Sequence, residues 1–350
     1  MQSNLWCIIM IIPIENQHSY NTILRNQQLK LDISNRCNSP SRHLVIDWKG
    51  DCFVCPCEAW LPISVGKITD FAQLEHVWAS ATAQQLQADI DSGAYTHCAV
   101  DRCGVLIESK IDDFYTISIN IDESCNLKCP SCRPDGIMIT SGSDFDRKLA
   151  QAQHIRKLLE AFDHACVIVM SGNGDPLASA IMRPLIKEFQ PRANQSIRLF
   201  TNGLLLEKQL DQSPILNNVR QYFISIDAGS ETVYERVRLG GRFSQLIANL
   251  DWLKRTVVAS ETEVLLKFVL QQDNYHDMQN FCKLCVDYGF SGVIHRLEDW
   301  GTWSNFDDHD VIGNINHTDH SAAMSLLSSV YNKYAGRIQF NPWLVQAIQS

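Results

Sequence analysis

The chain has 350 residues, 45% hydrophobic and 20% charged, the balance of an ordinary soluble globular protein with one large domain or two unequal ones. Thirty Lys and Arg stand against 39 Asp and Glu, a formal net charge of -9 with no long basic run, which excludes duplex nucleic acid as a partner because phosphate binding needs a positive stripe. Thirteen cysteines without the charged opening of a secretory signal point to a reducing, cytoplasmic setting and to metal ligands in preference to disulfides.

The first apolar run, "LWCIIMIIPI" from Leu5 to Ile14, is shorter than a bilayer span and lacks the Lys or Arg that opens a signal peptide. It is expected to form a buried strand or the docked start of the chain, and no membrane partner is expected. Cysteines then crowd the first third of the sequence: Cys37, Cys52, Cys55 and Cys57 in and after "CNSPSRHLVIDWKGDCFVC", and Cys98 and Cys103 in "CAVDRC". Metal chemistry is expected in this part of the chain.

From Phe114 onward, apolar runs alternate with amphipathic stretches. The runs "FYTISINI", "CVIVMSG", "SIRLFTNG", "QYFISIDAG", "EVLLKFVLQ" and "GVIHRLEDW" are rich in the Val, Ile and aromatic residues that favour strands. Between them "FDRKLAQAQHIRKLLEAF", "SAIMRPLIKEF", "FSQLIANLDWLKRTV" and "YHDMQNFCKLCVDYG" repeat apolar residues at three and four, the period of a helix with one buried face. This order predicts an α/β fold, a parallel sheet of right-handed units that closes part of a barrel, with the working residues at the C-terminal ends of its strands.

Four polar clusters fall on that rim. "IDESCNLKCPSCRP" (Ile121 to Pro134) follows the first strand, "SGNGDP" (Ser171 to Pro176) the second, "TNG" (Thr201 to Gly203) the third, and "SIDAG" (Ser225 to Gly229) the fourth. The first of these sets Cys125, Cys129 and Cys132 as C-x3-C-x2-C, with no fourth cysteine close behind; the next, Cys166, opens the second strand at the opposite end. An iron-sulfur cubane is normally held by four thiolates, so three leave one iron open to a small-molecule ligand. Zinc usually closes with four ligands at paired C-x2-C spacing, which this segment lacks.

On these residues the chain resembles the radical S-adenosylmethionine (SAM) enzymes, over about residues 114 to 300. The resemblance implies that Cys125, Cys129 and Cys132 hold a 4Fe-4S cluster whose unique iron is chelated by the methionyl amine and carboxylate of SAM. Reductive cleavage of SAM then gives a 5'-deoxyadenosyl radical that abstracts hydrogen from a substrate. "GNGDP" is similar to the family's Gly-Gly-Glu-Pro motif, with Asn173, Gly174, Asp175 and Pro176 at its four places. It implies that the turn presents its carbonyls and Asp175 to the methionyl ammonium, with a reach one methylene shorter than Glu. Ser225 and Asp227 alternate on the fourth strand and share a face. The resemblance assigns them to the ribose or methionyl part of SAM, the alternative being that Asp227 caps the next helix. Asn202 is read either as a cofactor contact or as a plain turn residue, and Ser131 stands where the family often carries an aromatic residue near adenine.

The first 110 residues resemble the auxiliary-cluster module called SPASM, or its shorter twitch form: a cysteine, a hairpin turning at Gly50, a second cysteine, a short helix with Trp in "LEHVWAS", then closing cysteines. A cluster would replace the hydrophobic core that so small a module cannot build. Cys37, Cys55, Cys98 and Cys103 are the expected ligands of a second 4Fe-4S cluster, with Cys52 or Cys57 as substitutes for Cys55 and a zinc ribbon as the alternative occupant. The expected division is an auxiliary domain over 1–110 and a partial (β/α)6 barrel with a C-terminal extension over 111–350. The resemblance further implies a peptide or protein side chain as substrate and an electron donor such as flavodoxin or ferredoxin. A small molecule or nucleotide is the alternative substrate, and a non-catalytic iron-sulfur or zinc scaffold the alternative class. Of the remaining candidates, Cys282 and Cys285 are expected in a helix core and His317 and His320 in a solvated loop, while Arg236 and Arg238 are expected on a helix surface, the alternative being a pairing with the cofactor carboxylate. Trp300 and Trp303 either line the substrate pocket or cover the open side of the barrel.

Overall fold

The alternating pattern is realised in a computed structural model that describes residues 37–56, 61–100, 103, 114–257 and 261–349. The Leu5–Ile14 run and Cys57 lie outside the described residues. Contacts gather the chain into two compact units. One takes the described residues up to Glu123 with Ile139–Asn173 and Ala180–Ile197, and the other Ser124–Met138, Gly174–Ser179 and the residues from Arg198 onward.

In the first unit, a helical turn α1 (Ser39–Arg42) leads into β1 (His43–Ile46), whose four residues are all buried. The chain reverses at Gly50, φ +82°, a backbone conformation that glycine adopts without steric cost. Asp47 fixes the turn, its Oδ1 accepting the Lys49 and Asp51 amides at 2.9 and 2.7 Å. Strands β2 (Asp51–Phe53) and β3 (Ser64–Lys67) complete an antiparallel meander with β1. Two helices follow, α2 (Glu75–Trp78) and α3 (Ala81–Asp91); Ser80 Oγ caps the latter by accepting from the Ala83 amide. The indole of Trp78 donates to the His43 carbonyl at 2.9 Å, tying α2 to the head of β1.

Strand β4 (Tyr115–Ile119) pairs in parallel with β1, with Ile46 opposite Ile119. It also pairs in parallel with β5 (Cys166–Met170), across helix α4 (Ser143–Ala161). Ala152, Ile155, Leu158 and Leu159 of α4 are buried at the three-and-four spacing that the sequence shows. The order within this unit is β5-β4-β1-β2-β3. The stretch Ser179–Phe189 is helical only over α5 (Arg183–Lys187), because Pro184 lacks an amide and fits only a first turn. Strand β6 (Gln195–Thr201) contributes its first three residues to this unit and its last four to the second.

The second unit continues with α6 (Leu206–Leu210), β7 (Val219–Ser225), α7 (Glu231–Val237), α8 (Phe243–Val257), β8 (Glu263–Leu270), α9 (Met278–Tyr288) and β9 (Ser291–Arg296). The C-terminal extension supplies α10 (His320–Tyr334), one further strand, β10 (Ile338–Phe340), and α11 (Pro342–Gln349). Strands β7, β8, β9 and β10 pair in parallel in that order. The class is α/β, as expected, and β1–β2 and β2–β3 pair antiparallel. Among the described residues no helix is long and apolar enough to cross a membrane.

Packing distinguishes the two faces of this parallel sheet. Phe268 of β8 meets Phe281 of α9 with ring centroids 5.1 Å apart, and a Cβ on Gly292 would lie 2.8 Å from Cys285 Sγ. Phe268 and Gly292 therefore face α9, where Cys282 and Cys285 are fully buried core residues, as expected. Side chains alternate along a strand, so Lys267, Val269, Val293 and His295 face the other way. The registers Ser225–Lys267–Val293 and Val269–His295 join them on one inner face. Gly229, just past β7, has no room for a side chain, since a Cβ there would come within 2.1 Å of the Asn280–Phe281 backbone.

Candidate functional site

The loop that follows β4 is pinned by its own backbone. The Cys125 amide donates to the Ile137 carbonyl at 2.9 Å, the Lys128 amide to the Leu239 carbonyl at 2.9 Å, and the amides of Cys132 and Arg133 both donate to the Cys129 carbonyl. The Leu127 amide donates to Cys125 Sγ at 3.4 Å, and the Arg238 guanidinium to Cys129 Sγ at 3.6 Å. Arg133, buried beside the triplet, stays charged against the cost of burial because it hydrogen-bonds Cys132 and lies within electrostatic reach of Cys125 and Cys129. Burial pushes the Cys125 thiol up to about 11, with the Asp175 carboxylate adding to the rise. Burial raises Cys129 as well, against the pull of Arg238. Such thiols give up their protons when a metal takes the proton's place. Three sulfurs on one loop, met by amide and guanidinium donors, fit an anionic iron-sulfur cluster.

Asp175 is fully buried and fastens this loop to the next two rim segments. Its amide donates to the Ser124 carbonyl at 2.8 Å. Its Oδ2 accepts from Thr201 Oγ1 at 2.9 Å and from the Asn202 amide at 2.6 Å, and its Oδ1 accepts from the Leu177 amide at 2.9 Å. The Ala178 amide donates to the Asp175 backbone carbonyl at 3.0 Å. A carboxylate accepts about four hydrogen bonds. Protein donors thus engage both oxygens of the carboxylate that the resemblance assigns to the methionyl ammonium, and burial raises its pKa despite them. Gly174, half-buried, and Pro176, buried, flank it, while Asn173 lies half-buried at the end of the β5 turn in the first unit.

Asn202 is more than a turn residue. Its Nδ2 donates to Asn126 Oδ1 at 2.8 Å and stands 3.9 Å from Cys125 Sγ, and its Oδ1 accepts from the Leu204 amide at 3.1 Å. The third strand end thus holds the first residues of the cysteine loop.

At the fourth strand end Ser225 is half-buried and Asp227 buried, with Asp227 at φ +53°. A non-glycine residue in that left-handed region persists only when its surroundings over-determine it. Here Oδ1 accepts from the Val269 amide at 2.8 Å, Oδ2 pairs with Arg238 at 2.7 Å, and the Asp227 carbonyl accepts from Asn274 Nδ2 at 2.9 Å. Asp227 does not cap α7. The Gly229 and Ser230 amides ahead of that helix donate to Asp277 Oδ2 at 2.6 and 3.0 Å instead.

Sequence reasoning placed Arg238 on a surface, but its side chain is only 11% exposed and joins Asp227 to Cys129. Arg133 was not singled out, although it directly follows the triplet. Arg236 is a surface residue as expected, paired with Asp273. His317 and His320 bond the Asp308 and Val311 carbonyls and so staple their own loop, and Trp303 stacks on His309 with centroids 4.1 Å apart.

In the first unit Cys37, Cys55, Cys98 and Cys103 line one small cavity together with Ile90 and Tyr95. Burial, then the neighbouring Cys37 and Cys103, push the Cys98 thiol up to about 12. The four thiols round this cavity are the candidate ligands of one metal or cluster site. Cys52, fully buried in β2, does not line it.

Residues 119–285 match the sequence profile of the radical SAM superfamily, and residues 37–104 that of SPASM, an iron-sulfur cluster-binding domain. The chain is 25% identical over 175 residues to the AdoMet-dependent heme synthase of Nitratidesulfovibrio vulgaris, 49% of this chain and 45% of that protein. It is 26% identical over 178 residues to the probable GTP 3',8-cyclase of Methanocaldococcus jannaschii, 50% of this chain and 56% of that one. The chain thus spans about half the length of these curated relatives. Among solved structures, Streptococcus suis SuiB bound to precursor peptide SuiA aligns over 65% of this chain and 48% of that chain, at 13% identity and a TM-score of 0.40.

Proposed function

We propose that this chain, which matches the radical SAM superfamily over residues 119–285 and SPASM on the amino-terminal side of that match, is an enzyme that cleaves SAM reductively to draw hydrogen from a peptide or protein side chain. The radical SAM domain implies a 4Fe-4S cluster and SAM, and the SPASM domain auxiliary iron-sulfur binding. Bound together, cluster and SAM supply the one-electron cleavage whose product radical abstracts hydrogen.

The observation that carries this reading is the Cys125–Cys132 loop with Arg238 and Arg133 among its sulfurs. In this proposal Cys125, Cys129 and Cys132 hold the catalytic cluster, and Arg238, held by Asp227, keeps positive charge against Cys129. Asp175 and Asn202 position the cysteine loop, while the backbone of Asn173, Gly174 and Pro176 and the hydroxyl of Ser225 face SAM. Cys37, Cys55, Cys98 and Cys103 hold an auxiliary cluster that serves as electron conduit or substrate contact. The functional division runs as 1–110 auxiliary domain and 111–350 barrel with its extension. A flavodoxin or ferredoxin supplies the electron, in the reducing cytoplasm that such thiol ligands need.

The SPASM match over residues 37–104 supports a peptidyl substrate. Identity of 24–26% to GTP 3',8-cyclases over about half the chain favours a nucleotide as the second reading. The test is anaerobic: reconstituted protein with dithionite and SAM should release 5'-deoxyadenosine, and a protein that takes up iron yet releases none is a scaffold. Consumption of GTP coupled to that release would select the nucleotide reading.

A further inference from the structure

A charged residue interrupts the apolar run "EVLLKFVLQ" at Lys267, and among the described residues no side chain pairs directly with that charge. Lys267 is 7% exposed on the inner face, opposite Ser225 on one side and Val293 on the other. Among the described residues its ammonium makes no hydrogen bond and no ion pair. Asp227 is the acid that acts on it electrostatically, but both Asp227 oxygens are committed, one to Arg238 at 2.7 Å and the other to the Val269 amide at 2.8 Å. His295, two residues beyond Val293 on the same face, is also buried and adds no negative charge.

Keeping an unpaired ammonium in such a place is costly, and an apolar side chain would pack there without that cost. Burial lowers its pKa to about 8, so the ammonium form still prevails at neutral pH. Arg238, not Lys267, reaches the cysteine loop: the groups that act on Cys129 are Arg238, Cys132 and Asp227. The second cation therefore serves the inner face and not the sulfurs.

We propose that Lys267 is the anchor of an oxyanion subsite on the inner face, taking a carboxylate or phosphate group of the substrate. The inference rests on the radical SAM reading above and deepens it, because it requires the substrate to carry a negatively charged oxygen group. Ser225, its neighbour across the β7–β8 register, is half-buried and is assigned above to SAM, so Lys267 supplies the charge of this subsite. One charge-assisted hydrogen bond of this kind is worth about 1.5–3 kcal/mol.

The test uses the full chain with its clusters reconstituted, and two probes, inorganic pyrophosphate for phosphate and succinate for carboxylate. Calorimetry should show at least one probe binding the wild type and weakening about tenfold or more in Lys267→Met, while Lys267→Arg retains the affinity and SAM binding moves little. Equal probe affinity in wild type and Lys267→Met overturns the proposal, as does a loss confined to SAM, which would assign the ammonium to the cofactor carboxylate. Should Lys267→Met not fold, tungstate soaked into wild-type crystals replaces it. An anomalous peak about 3 Å from Lys267 Nζ supports the subsite, and its absence at saturating tungstate overturns it. Release of 5'-deoxyadenosine by the wild type without substrate is read in parallel, so failure of the functional reading appears there and not in the anion titration.

Discussion

The Arg238 guanidinium joins Asp227 to Cys129, with one terminal nitrogen 2.7 Å from Asp227 Oδ2 and the other donating to Cys129 Sγ at 3.6 Å. The positive charge is buried, so solvent screens it little, and hydrogen bonds to sulfur tune the potential of an iron-sulfur centre. Arg238→Met removes a cation that favours the reduced cluster. The midpoint potential of the catalytic cluster, followed by electron paramagnetic resonance in a redox titration, is expected to move negative. Leaving Asp227 buried and unpaired should also cost about 3–5 kcal/mol of stability. An unchanged or more positive potential contradicts this role.

Asp175 stands where relatives of the motif carry Glu, yet Asp175→Glu should harm the protein. The site is fully buried and its three donors, Thr201 Oγ1 and the Asn202 and Leu177 amides, are set for the shorter side chain. An added methylene in such a space costs about 1–3 kcal/mol. Chemical unfolding should show that loss, together with weaker SAM binding. A variant as stable as the wild type with tighter SAM binding would show the carboxylate to be a ligand contact after all.

Iron content separates the two cysteine groups. Reconstituted wild type should carry about eight irons per chain, two cubanes. Replacing Cys125, Cys129 and Cys132 together by Ala should leave about four, and so should replacing Cys37, Cys55, Cys98 and Cys103 together. Cys52→Ala should leave the count unchanged. About four irons and one zinc in the wild type would assign the first unit to a zinc ribbon.

His295 makes stability depend on pH. Burial, with Lys267 adding to it, pushes its pKa down to about 3 from the ordinary 6.5. The unfolded chain therefore binds the proton first. The contribution of His295 is fully present above pH 6.5 and is lost as pH falls from there toward 3. Between pH 6.5 and 5 the unfolding free energy should fall by up to about 1.4 kcal/mol per unit more in the wild type than in His295→Gln. Parallel slopes in urea titrations of the two proteins would rule this out.

The strands and the cysteine triplet were legible because both are local signals. Short runs rich in Val, Ile and aromatic residues need no tertiary context, and C-x3-C-x2-C carries its chemistry in its spacing. Asp175 was legible as a rim carboxylate, but its role depends on donors at Thr201 and Asn202, some 26 residues away, which no periodicity announces. Arg238 lies just past the end of α7, where helical spacing no longer fixes the direction of a side chain. Lys267 was visible as a lone charge inside an apolar strand, and that mismatch of residue and environment was the available signal. The shortening of α5 was also readable, from Pro184.

Strand β1 lies against β4 in parallel over His43–Ile46, and the Asn120 amide prolongs the ladder by donating to the Ile46 carbonyl at 2.8 Å. A truncated chain that begins at the barrel would bare that flank of β4, leaving a row of amides and carbonyls open to any passing strand. Such a fragment should clump, and its failure would be mistaken for the loss of an electron carrier when what it had lost was a selvedge.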